Sequence, residues 1–192
     1  MSSGAKQLVQ IAKETVIGTV PSPFARQTLA FTDISLNQSV EKTESASITD
    51  NRLQQSSMIT SAEYSGELSA EARYGAYDDL MAAAAFNAWA TNVLTFGGTT
   101  RQTFSVLLGY TDIANYHTFS GLHVNTFGID IPEAGLIGLT FGFMGTKRTT
   151  AAVAPVGTIT PASTNPRMSN ISVGDLLVDG VSVKGTACIT AF

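Results

Sequence analysis

The chain has 192 residues, of which 44% are hydrophobic and only 14% charged, with a formal net charge of -4 and a pI near 5.0. That length suits one domain, or one domain plus an appendage, and the apolar content is enough for a real core. The acidic balance argues against a phosphate-gripping nucleic-acid reader, which carries a basic patch, and a single cysteine, Cys188, excludes an intrachain disulfide framework.

The N-terminal stretch MSSGAKQLVQIAKE has no long apolar run, so no signal peptide is expected. No segment approaches the roughly 18 apolar residues of a membrane span, and the chain reads as soluble and made in the cytosol. QLVQIAKE (7–14) reads as a first strand, and IGTVPSPF (17–24), punctuated by Gly18, Pro21 and Pro23, as a loop. RQTLAFTDISL (26–36) places Leu29 and Phe31 on one strand face. SVEKTES (39–45) is polar and suits an edge or solvent-facing strand. Residues 45–64, SASITDNRLQQSSMITSAEY, are mostly polar with no sustained period, and a loop of that length inside a compact domain marks function or disorder. Two readings stay open for it. One is a surface loop. The other is an inter-subunit arm carrying Ile48, Arg52, Leu53, Met58 and Ile59, whose apolar members become buried against another chain.

In SGELSAEARYGAYDDLMAAAAFNAW (65–89) the period changes. Leu68, Ala70, Ala72 and Tyr74 alternate with Glu67, Ser69, Glu71 and Arg73, which predicts a half-charged strand. A helix over 77–89 then follows: Asp78 and Asp79 suit its positive N-terminal end, and Tyr77, Leu80, Met81, Ala84 and Ala88 form one packing face at helical spacing. LTFGGTTRQTFSVLLGY (94–110) reads as a hairpin turning at Gly97-Gly98. TDIANYHTFSGLHVNTFGIDI (111–131) is a short turn and a long strand region, and Pro132 to Gly135 a turn. In LIGLTFGFMG (136–145), Ile137, Leu139, Phe141 and Phe143 alternate with Gly138, Thr140 and Gly142, so the glycine face is approached closely by something. RTTAAVAPVGTITPASTNPRM (148–168) has a linker composition. LLVDGVSV (176–183) carries a two-residue hairpin signal at Asp179-Gly180. TACITAF (186–192) alternates and stops, as if the chain continued or an arm found its partner elsewhere.

The catalytic inventory is thin. His117 and His123 lie six residues apart with no cysteine or acidic cluster beside them, so neither a metal site nor a cofactor site is expected. No P-loop, dinucleotide fingerprint or nucleophile elbow is present. Adjacent Asp78 and Asp79 do not face each other, and Glu67 and Glu71 would sit roughly 13 Å apart along a strand, too far to act on one bond. An enzyme is therefore disfavoured.

Ordered blocks carry a resemblance. IAKETVIGTVP, SGELSAEARYGAYDDLMAAA, TRQTFSV, YTDIANYHTFSGLHVNT and GLTFGFMG, spanning about residues 7–146, resemble the bacteriophage tail tube proteins, or major tail proteins, of long flexible tails. The resemblance implies a mainly β fold with one flanking α-helix, a β-sandwich or barrel-like tube module over 1–147. It leaves 148–168 as a linker and 169–192 as a β-hairpin arm or the start of a second module. It implies a structural virion protein whose partners are itself, in stacked hexameric or pseudo-hexameric trimeric rings, and the terminator, tape measure and distal tail proteins. Double-stranded DNA would pass through non-specifically, and no membrane is involved. On this reading Glu67, Ser69, Glu71 and Arg73 form the polar face toward the lumen or the next subunit. The alternatives are another tail component, a terminator or adaptor, and a carbohydrate-binding β-sandwich.

Overall fold

Strand pairing explains most of the chain. The computed structural model describes residues 6–45, 56–172, 177–178 and 181–182. Their elements are β1 (Gln7–Lys13), β2 (Arg26–Thr28), β3 (Asp33–Ile34), β4 (Asn37–Thr43), β5 (Met58–Glu71), α1 (Asp78–Ala84), β6 (Phe104–Tyr110), β7 (Asn115–Asp130), β8 (Gly138–Gly145), β9 (Lys147–Ala151), β10 (Ile159–Thr160), β11 (Leu177–Val178) and β12 (Val181–Ser182). Ten strands join in the order β10-β2-β1-β6-β7-β8-β5-β3, with β4 pairing β5 and β9 pairing β7. β7 is the spine. Its first half pairs β6 and β9, and its second half pairs β8.

The sheet turns back on itself where β7 passes Gly121, whose φ is +67°, and where β8 gives way to β9. There the amide and hydroxyl of Thr146 both donate to the Ser120 carbonyl at 3.1 Å. One core cluster then collects Val9, Ile11, Phe104, Val106 and Leu108 from one half and Leu68, Ala70, Leu139, Phe141 and Phe143 from the other. The two halves therefore face each other as a β-sandwich. The alternation expected in β5 and β8 is the cause: Leu68, Ala70, Leu139, Phe141 and Phe143 are all buried. The close approach expected on the glycine face of β8 is also present. A Cβ on Gly142 would lie 2.1 Å from the Thr126 hydroxyl oxygen.

Five expectations are corrected. First, Tyr74 does not share the buried face. It is 70% exposed, because the strand ends at Glu71 and the chain turns at Gly75 with φ +68°. Second, residues 58–64, at the end of the expected 45–64 loop, are strand. β5 begins at Met58 and pairs β4 back to Thr43, leaving a protruding ribbon. That ribbon is exposed on both faces, so it carries no apolar period to read. Ile48, Arg52 and Leu53 lie outside the described residues.

Third, the helix stops at Ala84 rather than 89, since Phe86 takes φ +53° and the chain reverses. Fourth, Gly97-Gly98 is not a hairpin turn, and strand pairing starts only at Phe104. Gly98 instead lies against the helix end, where a Cβ would sit 2.2 Å from the Phe86 carbonyl oxygen. Fifth, 148–168 is not an unattached linker. β9 pairs β7, β10 pairs β2, and the amide of Met168 donates to the Ala72 carbonyl at 2.8 Å. Backbone pairing needs no apolar side chains, so this Thr, Ala and Pro composition concealed it. β11 and β12 pair antiparallel outside the large sheet, on either side of Asp179-Gly180, which lies outside the described residues.

Candidate functional site

Residues opposite each other in a ladder share a face of the sheet. From Glu67, that rule collects an acidic surface. Along β5 it takes Glu63, Glu67, Ser69 and Glu71. Across the ladders it adds Asp33 opposite Ser69, Glu41 opposite Ser61, and Thr140, Gly142 and Gly138 of β8, which lead on to Asp130 of β7. Six carboxylates thus lie on the face away from the core. Arg167 pairs with Glu71 at 2.5 Å, a surface pair that contributes little. The other strands present small groups here: Gly128, Gly138, Thr140 and Gly142 form the floor between the acids.

Arg73 is not part of this face. It is half-buried, and its Nη1 donates to the carbonyls of Ser163 and Asn165, both at 3.3 Å, clamping the 163–167 segment onto the end of β5. The expected helix face is mostly present. Tyr77 and Leu80 are buried, and Met81 and Ala84 pack against the core, but Ala88 is exposed because the helix has already ended. Ala82, Ala83 and Ala85 are buried in addition. The Tyr77 hydroxyl donates to the Ala30 carbonyl at 2.5 Å, and burial pushes its phenol up from the usual range. Asp78 is also pushed up, first by burial and then by the like charge of Asp79.

At the end of β5 an open cleft of about 500 Å³ lies between α1 and the end of β7. Tyr74, Met81, Trp89, Ile129, Ile137 and Met168 line it. At the other end of β5, Met58 and Ile59 are 73% and 61% exposed.

Glu14 is the residue that sequence reasoning missed. Its carboxylate is buried and accepts four hydrogen bonds: from the Gly18 amide at 2.8 Å, the Thr103 hydroxyl at 3.0 Å, the Ser105 hydroxyl at 2.6 Å and the Gly121 amide at 2.8 Å. It thereby satisfies the amide at the bend of β7. No local signal marks it, because three of its donors lie 89 to 107 residues away.

His117 donates or accepts at Thr150 Oγ1, 3.1 Å away, and its ring lies 3.0 Å from Arg148 Nη2. Burial and then the Arg148 charge hold its imidazole below the usual range. The unfolded chain therefore binds that proton more readily, so His117 lowers stability as the pH falls through the usual histidine range and not above it. Thermal melts at about pH 7.5 and about pH 5.5 are expected to show a smaller loss for His117→Gln than for the wild type. Equal losses would contradict the assignment.

A family model described as phage tail tube protein matches residues 4–192. No curated protein matches the chain in sequence. Among solved structures, a chain of the anti-feeding prophage baseplate is 13% identical with a TM-score of 0.51, covering 79% of this chain and 97% of its own. A chain of the sheath-tube complex of an extracellular contractile injection system is 12% identical with a TM-score of 0.49, covering 80% and 93%. The SPP1 tail tube is 11% identical with a TM-score of 0.48, covering 78% of each chain. The first of these likenesses concerns the fold.

Proposed function

This chain belongs to the phage tail tube protein family, a structural component of the virion tail, and from that premise we propose that its copies close into rings which stack around a DNA conduit. Rings of six chains, or pseudo-hexameric rings of three, would stack into the tube through which double-stranded DNA is ejected. The role is structural rather than enzymatic.

The observation that carries this reading is the acidic face of the sheet half made by β3, β4, β5, β8 and the end of β7. That half has two open edges among the described residues. β4 pairs only β5, and residues 123–130 of β7 pair only β8. Joining β4 of one copy to 123–130 of the next would remove both edges and continue one sheet around a ring. The face bearing Glu41, Glu63, Glu67 and Asp130 would then line the lumen, where like charge keeps passing phosphates from sticking. The β4–β5 ribbon, and the β11–β12 pair outside the large sheet, would reach other copies. At the ends of the tube the same surfaces would meet the terminator, tape measure and distal tail proteins.

Negative-stain microscopy of the purified chain is expected to show tubes or stacked rings, and dispersed monomers would sink the reading. A Glu63→Lys, Glu67→Lys double variant is expected to form tubes that retain DNA which wild-type tubes exclude. Unchanged DNA retention would remove the lumen assignment while leaving assembly intact.

A further inference from the structure

We propose that the cleft between the end of β1 and the start of α1 binds a carboxylate group, with the guanidinium of Arg26 as its partner. The proposal does not depend on the tube reading. It concerns a buried charge that the fold itself leaves uncompensated.

Three observations carry it. The first is the charge. Arg26 is 4% exposed, and no carboxylate of the described residues lies within ion-pair distance of it. Taking a cation out of water is costly unless an opposite charge replaces the water. Burial, with no opposing charge, holds this guanidinium below its usual range. The second is the set of unused donors. Nε donates to Gln10 Oε1 at 2.5 Å and Nη1 to the Phe24 carbonyl at 3.3 Å, and the guanidinium carbon lies 5.0 Å from the centre of the Phe24 ring. These partners fix the side chain, but all are neutral. Nη2 makes no hydrogen bond among the described residues, and it is not sealed off from solvent. A planar guanidinium held along one edge, with donors unused on another, suits the two oxygens of a carboxylate.

The third is the cleft. Arg26 lines an opening of about 320 Å³ together with Lys13, Gln27, Tyr77 and Thr160. Asp78 and Asp79 of α1 line it as well, and neither forms an ion pair with Arg26 or Lys13. These two acids set the selectivity. Coulomb repulsion scales with the charge of the ligand, so they oppose a phosphate dianion or a nucleic-acid strand more strongly than a single carboxylate. The ligand is therefore a monoanionic carboxylate, either a small free acid or an acidic side chain of another copy of this chain.

The test uses the full chain, titrated with sodium acetate against sodium chloride and sodium phosphate at equal ionic strength. Acetate is expected to raise the wild-type melting temperature above that in chloride, and to saturate, because it binds the folded state. Salts also act by exclusion from the protein surface, so each salt is compared between wild type and Arg26→Gln, which is expected to lose the acetate-specific rise. A direct reading comes from the wild type itself. The Arg26 Nε–H resonance in an arginine-labelled NMR spectrum, assigned by its absence from Arg26→Lys, is expected to shift with acetate and less with phosphate. Assembled wild-type chain separates the two sources. A resonance already shifted without acetate assigns the carboxylate to another copy, and one that shifts only when acetate is added assigns it to a free acid. No acetate-dependent shift in the dispersed chain, an equal shift with phosphate, or an equal acetate-specific rise in Arg26→Gln would overturn the site.

Discussion

Replacing Glu14 with alanine is expected to lower the unfolding free energy by about 2–6 kcal/mol, from two buried amide donors left unsatisfied at about 1–3 kcal/mol each. Four donors lose their acceptor at once: the amides of Gly18 and Gly121 and the hydroxyls of Thr103 and Ser105. The two hydroxyls can rotate toward other partners. The two amides are held by the backbone, and Gly121 sits at a positive φ where the sheet bends. The melting temperature should fall by on the order of 10 °C for a chain of this size. Glu14→Gln keeps an acceptor and should fall less. The bend at Gly121 sets the angle between the two halves of the sandwich, so assembly should weaken in Glu14→Ala even at temperatures where the chain is folded. A loss under about 1 kcal/mol, the worth of a single ordinary hydrogen bond, would show that the carboxylate is not holding the bend.

Phe141→Ala is expected to be equally damaging, at about 3–5 kcal/mol. Phe141 is fully buried in β8, between β5 and β7. Its ring stacks on Phe127 at 5.1 Å and lies 6.1 Å from the Tyr77 ring, so it ties β7 and the start of α1 to the same point. Deleting it opens a cavity that three separately anchored elements cannot collapse to fill. Phe141→Leu, which keeps most of the volume, should cost less than half as much. Chemical denaturation of the two variants, with unchanged slopes, measures the difference. Equal costs would mean that the site relaxes freely.

Wherever one face of an element is buried, its residues were legible as sequence. The alternation of Leu68, Ala70 and Ala72 against Glu67, Ser69 and Glu71, and of Leu139, Phe141 and Phe143 against Gly138, Thr140 and Gly142, specifies which side of β5 and β8 meets the core. A one-residue slip would bury the acids, so pattern and structure must agree there. Ordered blocks extending from IAKETVIGTVP to GLTFGFMG carried the family as well.

Tertiary structure decided what depends on backbone pairing or on distant partners. The β4–β5 ribbon and the β9 and β10 pairings are held by main-chain hydrogen bonds, which leave no side-chain period to read. The end of α1 is set at Phe86 and Gly98 by close packing rather than by the propensity of the alanines. Arg73 alternates as a polar-face residue, yet its guanidinium is turned aside by carbonyls 90 and 92 residues away. Glu14 reads only as the last residue of a strand and becomes a buried acceptor when residues 103, 105 and 121 converge on it. Periodicity reports burial along one element. It carries no record of which donor from elsewhere in the chain will arrive to make a buried charge affordable, and only the assembled fold supplies that.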